Sequence, residues 1–205
     1  MQMRFAPLIE RMHRRTVHGG RANVLALHLA EMLPRADRIL DVGCGDGLVD
    51  RCILERRPDI YLEGIDAFPR EKAQIAVRAF DGIKIPDADR SFDTVMFIDV
   101  LHHAKDLALL LREGVRVTRK SVLIKDHYAD GFGARAILRL MDLVGNASHE
   151  FAWSGKYKSR EQWKEIFQEL NLSVVDHRAQ LRLYPRPADW IFGRSYHFIA
   201  RLEVQ

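Results

Sequence analysis

Between residues 39 and 47 the chain reads Ile-Leu-Asp-Val-Gly-Cys-Gly-Asp-Gly, an apolar run that breaks into three alternating glycines. Glycine reaches positive φ at no steric cost and lets a ligand approach the backbone. A helix opening at Leu48 would aim its free N–H groups at the same spot. The dinucleotide fingerprint wants glycine at the first, third and sixth positions. Here the sixth is Leu48, and Asp41 and Asp46 would repel a pyrophosphate. The turn therefore favours a ligand with an ammonium and a sulfonium, and an NAD-type oxidoreductase is the weaker alternative. Asp66 ends the next apolar run, where a carboxylate can accept two neighbouring hydroxyls or cap a helix entered at Pro69. Lys125-Asp126-His127-Tyr128 ends another such run, and His102 and His103 follow a third. A histidine near neutrality can take a proton from a reacting group when a carboxylate orients it.

These residues need elements to hold them. Apolar runs at Arg38–Val42, 60–65, 83–85, Phe92–Ile98 and 121–125 read as strands. Helical stretches at 22–33, 48–57, 69–80 and 106–117 separate most of them. Continuously apolar strands alternating with helices predict a doubly wound, mostly parallel sheet covered on both faces. Ser159 with Gln162 three residues on forms a capping box that opens a helix to about Leu170. Leu172–Ala179 and 196–204 follow with no helix between them and should pair antiparallel. That gives an α/β fold of seven strands. Residues 127–158 are an insertion long enough to form a substrate wall or lid. It contains an amphipathic helix at 134–144, with Ile137, Leu138, Met141 and Val144 on one face, and then Phe151, Trp153 and Tyr157, which could line a pocket.

The segment Asp41-Val42-Gly43-Cys44-Gly45-Asp46-Gly47 resembles the glycine motif of class I S-adenosylmethionine-dependent methyltransferases, and the likeness extends through 39–126. It implies a Rossmann-like single methyltransferase domain over 1–205 that binds S-adenosyl-L-methionine. In that family the loop cradles the cofactor's methionine moiety, which points to Asp41, Gly43, Cys44, Gly45 and Gly47. The match implies Asp66 as the ribose ligand with Ala67 and Phe68 flanking the adenine, and Asp81-Gly82 beside the adenine amino group. Residues 91–103, Ser-Phe-Asp-Thr-Val-Met-Phe-Ile-Asp-Val-Leu-His-His, resemble the fourth-strand motif of the small-molecule branch. Asp99 to His102 should then face the cofactor, with Leu101 as an apolar wall, while Asp93 is structural.

Methyl transfer is an in-line displacement, so the enzyme aligns the groups and removes the acceptor's proton. His127 is the first candidate base, with Asp126 beside it and His102, His103 and His149 behind. A small apolar or aromatic acceptor methylated on oxygen fits the histidines best; a non-catalytic S-adenosylmethionine-binding subunit is the alternative from another class. The chain lacks the Asn/Asp-Pro-Pro-aromatic and Pro-Cys segments of nucleic-acid methyltransferases, so no nucleic acid is expected. A catechol-type metal site would need more acids than Asp126, so no metal is expected.

The 205 residues are 47% hydrophobic and 29% charged, which suits one globular core and rules out disorder. The net charge of +4 is already present in the first 21 residues, where five arginines meet Glu10 alone. Phe5, Leu8, Ile9 and Met12 stripe this 1–21 arm as a basic amphipathic helix. Such a helix can lie on an anionic membrane or dock an acidic partner; packing on the domain is the plainer reading. Arg178, Arg182, Arg186 and Arg194, beside Tyr184, Trp190 and Phe192, could receive an acidic carrier that tethers the acceptor. No secretory or membrane-spanning run is evident, and Cys44 and Cys52 make no disulfide framework, so a cytoplasmic location is expected.

Overall fold

The computed structural model describes residues 19–145, 156–184, 189, 193 and 196–205. The arm stripe, His149, Phe151, Trp153, Arg186, Trp190, Phe192 and Arg194 lie outside the described residues. The chain runs α1 (Gly19–Met32), β1 (Arg38–Val42), α2 (Leu48–Leu54), β2 (Tyr61–Asp66), β3 (Val77–Ala79) and β4 (Phe92–Ile98). It continues through a short 3-10 turn (Leu101–His103), α3 (Leu107–Val117), β5 (Thr118–His127), α4 (Ala134–Gly145), α5 (Arg160–Glu169), β6 (Leu172–Ala179) and β7 (His197–Val204). The strands form one seven-stranded sheet in the order β3-β2-β1-β4-β5-β7-β6. β7 is the antiparallel member, wedged between β5 and β6 with His127 opposite His197.

Side chains alternate between two cores. Leu40, Val95, Phe97 and Val122 face α3 and α5, where Leu107, Leu111, Trp163 and Phe167 meet them. Ile39, Met96, Leu123 and Ile199 face α1 and α2, meeting Leu25, Leu29 and Ile53. Each such buried side chain contributes about 1.5–3 kcal/mol. Gly114 lets α3 lie close to the sheet, since a Cβ there would stand 2.5 Å from the Phe97 ring. Among the described residues no helix is long and apolar enough to cross a membrane.

Two expected elements differ. Residues 69–80 are not helical; turns lead into β3, which pairs parallel with β2. The Gln74 N–H donates to the Asp46 carbonyl, and Gly64 donates to Ala76. The backbone of this segment is thus bound to the glycine turn and the sheet edge rather than to its own preceding turn. Residues 83–85 are not a strand either. Asp81 Oδ1 takes the Ile83 and Lys84 N–H groups in a tight turn, and Glu113 takes that of Ile85. The helix expected over 48–57 ends at Leu54, and β5 is longer than the expected 121–125 at both ends.

Candidate active site

The C-terminal tips of β1, β2, β4 and β5 converge, as parallel strands joined by helices require. The glycine turn leaves β1 and is fastened by Gly43 and Cys44 N–H groups donated to the Ile65 carbonyl. Gly43, Gly45 and Gly47 all adopt positive φ, at 79°, 62° and 70°. A Cβ on Gly43 would strike Val100 at 2.3 Å and one on Gly47 would strike Ile75 at 2.5 Å. At Gly45 the nearest atom is Arg70 Nη2, 4.0 Å away, so the middle of the turn faces open space. That leaves room for a ligand to approach the backbone.

Asp66 ends β2 with both oxygens oriented by backbone. Oδ2 accepts from the Gly45 N–H and Oδ1 from the Phe68 N–H, each at 2.8 Å. Each carboxylate oxygen accepts about two hydrogen bonds, so one lone pair on each remains for a vicinal diol. Asp66 does not cap a helix, because none follows it. Ala67 lies against Gly82, where an added Cβ would stand 3.6 Å from that of Ala67. Asp81 is exposed, and its backbone donors at Lys84 and Ile83 hold its carboxyl below the usual carboxylate range. The Cys44 thiol packs under Gly64, and burial next to Asp41 pushes it far up. These residues fit an S-adenosyl group: an open glycine turn, an acid with a lone pair on each oxygen left for a diol and, among the described residues, no cation to serve a pyrophosphate beyond Arg70 at the mouth.

Behind this cradle lies a buried polar cluster. Asp126 Oδ1 is 2.8 Å from His102 Nδ1 and 3.3 Å from His127 Nδ1, and it also accepts the His127 backbone N–H at 2.8 Å. Burial raises the Asp126 carboxyl, but His102 and then His127 outweigh it and hold the group below the usual range. An ionised carboxylate only accepts, so both Nδ1 atoms carry hydrogen and His127 Nε2 is an acceptor. Burial, with Lys125 second, pulls His127 below its ordinary value, which leaves the ring neutral at neutral pH. Tyr157, 5% exposed, stacks on His102 at 5.4 Å between ring centres and stands edge-on to His127 at 6.1 Å. It packs with Tyr196, Ala134 and Leu138, so α4 of the insertion covers this end of the sheet.

Asp99, at φ 54°, turns to cations. Its Oδ2 accepts from Arg21 of α1 at 2.7 Å, and its Oδ1 accepts from the fully buried Lys125 ammonium. Burial alone would raise the Asp99 carboxyl, and Lys125 with Arg21 drives it well below the usual range instead. His127 Nε2 is 3.7 Å from Asp99 Oδ1, and Lys125 Nζ is 3.3 Å from His197 Nδ1. Leu101 is fully buried in the core facing α3. Sequence reasoning gave no role to Arg21, Lys125, His197 or Asp50. A lysine closing the apolar run Ser-Val-Leu-Ile-Lys is a readable signal, whereas in the sequence Arg21 is only one of the arm's charges. His102, Asp126 and His127 offer ligand atoms all within 4.8 Å of one another. The cations on Asp99 nearby make this a poor pocket for a divalent ion.

At the opposite end of the sheet, a hollow is lined by Asp37, Arg38, Tyr61 and Asp93. Its acids are already satisfied: Asp93 takes the Arg38 N–H, and Asp37 takes Thr94 and Lys120. Asp93 is thus structural, as expected, and the hollow lies away from the glycine turn.

Residues 13–177 match a family described as a methyltransferase domain. The chain is 31% identical over 106 residues to 27-O-demethylrifamycin SV methyltransferase of Amycolatopsis mediterranei, covering 44% of this chain and 39% of that one. It is 30% identical over 99 residues to the ubiquinone biosynthesis O-methyltransferase of Azorhizobium caulinodans, covering 42% and 38%. The matches thus span about two fifths of the length of these curated relatives. A solved S-adenosylmethionine-dependent methyltransferase from Aquifex aeolicus superposes with a TM-score of 0.63 at 14% identity, covering 98% of this chain and 100% of that one, which speaks for the fold.

Proposed function

The chain belongs to the methyltransferase domain family, and on that premise we propose that it moves the methyl group of S-adenosyl-L-methionine to an oxygen of a small apolar or aromatic acceptor. The donor, when bound, supplies an electrophilic methyl group on a sulfonium. The observation that carries the reading is the single Asp126 oxygen shared by His102 and His127 at the tips of β4 and β5. Gly43 to Gly47 would hold the donor's methionine end, Asp66 its ribose, and Ala67 with Gly82 the edge of its base. His127 Nε2 takes the acceptor's hydroxyl proton, and Asp126 stabilises the imidazolium that forms. Burial of the pair, with Tyr157 over it, excludes water that would otherwise compete as acceptor. One of these relatives is by name an O-methyltransferase and the other a methyltransferase of a 27-O-demethyl compound, which supports oxygen as the acceptor atom. Cys44 and Cys52 are free thiols, which suits a reducing cytoplasm. We assign the basic 1–21 stretch to an anionic membrane or an acidic partner, and the stretch with Arg178, Arg182, Arg186 and Arg194 to an acidic carrier.

The test is adenosylhomocysteine formation against a panel of phenolic and apolar alcohols. His127→Ala should lower turnover roughly 10²–10⁴-fold with unchanged donor affinity. An unaffected rate removes His127 as base. Donor binding with no turnover on any acceptor would favour a non-catalytic binding subunit.

A further inference from the structure

One acid beside the cradle has no task in the mechanism above. Asp50, in the first turn of α2, is 1% exposed, as is Asp41 at the end of β1. Among the described residues neither Asp50 oxygen has a hydrogen-bond donor, and Asp41 Oδ1 has none. Burial first, and then the neighbouring Asp50 carboxyl, raise the Asp41 carboxyl. The other titratable groups that bear on them are Asp66 at the β2 tip and Asp46 and Cys44 in the turn. All are acidic, and the Arg70 guanidinium reaches only the mouth, by Gly45. Two neighbouring carboxyls out of water, with no counter-ion among the described residues, cannot both stay ionised, so they hold a proton between them.

Resting on the reading that this turn holds the donor, we propose that Asp41 and Asp50 share one proton in the free protein and release it when the cationic donor seats. Binding would then be proton-linked, and the site would distinguish donor from product by charge. The donor carries an ammonium, a sulfonium and a carboxylate, and so is a net cation; adenosylhomocysteine lacks the sulfonium and is neutral overall. A cation in the cradle favours the second ionisation, whereas the neutral product gives much less. The proton leaves for the buffer, and no other group need accept it. Burial raises the Asp41 carboxyl well above the usual range, with Asp50 adding to it, and burial pushes Asp50 up to about 6. Donor affinity therefore rises with pH through that region.

The experiment is titration calorimetry of the whole chain with S-adenosylmethionine and with adenosylhomocysteine, at pH 7, in phosphate and in Tris. The two buffers differ in ionisation heat, so the difference counts protons. The expected result is release of on the order of half to one proton per donor bound and close to none for the product. Donor affinity should also climb roughly tenfold from pH 5.5 to 7.5. Asp50→Asn, nearly isosteric, should bind adenosylhomocysteine as the parent does, which shows it folded, while losing the proton release and flattening the donor's pH dependence. Donor binding with no proton release, or with release equal for both ligands or unchanged in Asp50→Asn, overturns the proton link and leaves the assignment of the turn intact. Binding of neither ligand overturns both.

Discussion

Asp126 gathers two imidazoles and a backbone N–H on one oxygen, which fixes the tautomer of His127 and so the atom that accepts a proton. As the proposed base, His127 must be neutral. Because its titration is pulled below the ordinary value, activity should persist below pH 6.5 and fall only as pH drops further. A kcat–pH profile on the best acceptor measures this; a limb at or above 6.5 would contradict the assignment. Asp126→Asn removes a charge that holds His127 up, so the limb should move to lower pH while the plateau drops roughly 10²-fold or more. Asp66→Ala should weaken donor binding by about 1.5–3 kcal/mol through lost charge-assisted hydrogen bonds, read by calorimetry. His127, Asp126 and Asp66 were legible because each ends an apolar strand. Arg21 and Lys125 were not, because what defines them is a long-range encounter at Asp99, 78 and 26 residues away.

The elements that read correctly are those whose local chemistry and packing agree. The capping box at Ser159 is present in full: its hydroxyl accepts the Gln162 N–H at 3.2 Å, and the Gln162 side chain takes the Ser159 N–H at 3.0 Å. Ser159→Ala should cost about 1 kcal/mol, seen as a shifted urea midpoint with unchanged slope. Residues 69–80 read wrongly because a start signal at Pro69 and scattered apolar residues resemble a helix, while Ile75 is used elsewhere. It fills the space left by Gly47 and Gly64. Local pattern cannot register a contact that two glycines create. β7 could be paired but not placed, since nothing in its residues says that it enters between β5 and β6.

Across the whole molecule, buried acids act on stability in opposite directions. Asp99 and Asp126 are depressed, so their contribution is full above the ordinary carboxylate value and is lost as pH falls through their folded values. Asp50 is raised, so its contribution is full below about 3.8 and is lost as pH rises through about 6. The ligand-free protein should therefore weaken toward strong acid and also, more gently, above pH 6. Asp50→Asn should gain on the parent by about 1–3 kcal/mol at pH 8 and lose that advantage near pH 4. Urea unfolding across this range decides it: a variant no more stable than the parent at pH 8 would show that the buried acid costs nothing.

The indole N–H of Trp163 donates to the backbone carbonyl of His127 at 3.0 Å, with the ring 1% exposed. The chain has three tryptophans, and the other two lie at 153 and 190. Replacing those two by phenylalanine leaves one fluorophore wired to the strand tip where the chemistry is assigned. Its emission should be blue and shielded from iodide quenching. A change in its lifetime when acceptor arrives would make the protein its own optical screen for the molecule it modifies, with no product assay needed.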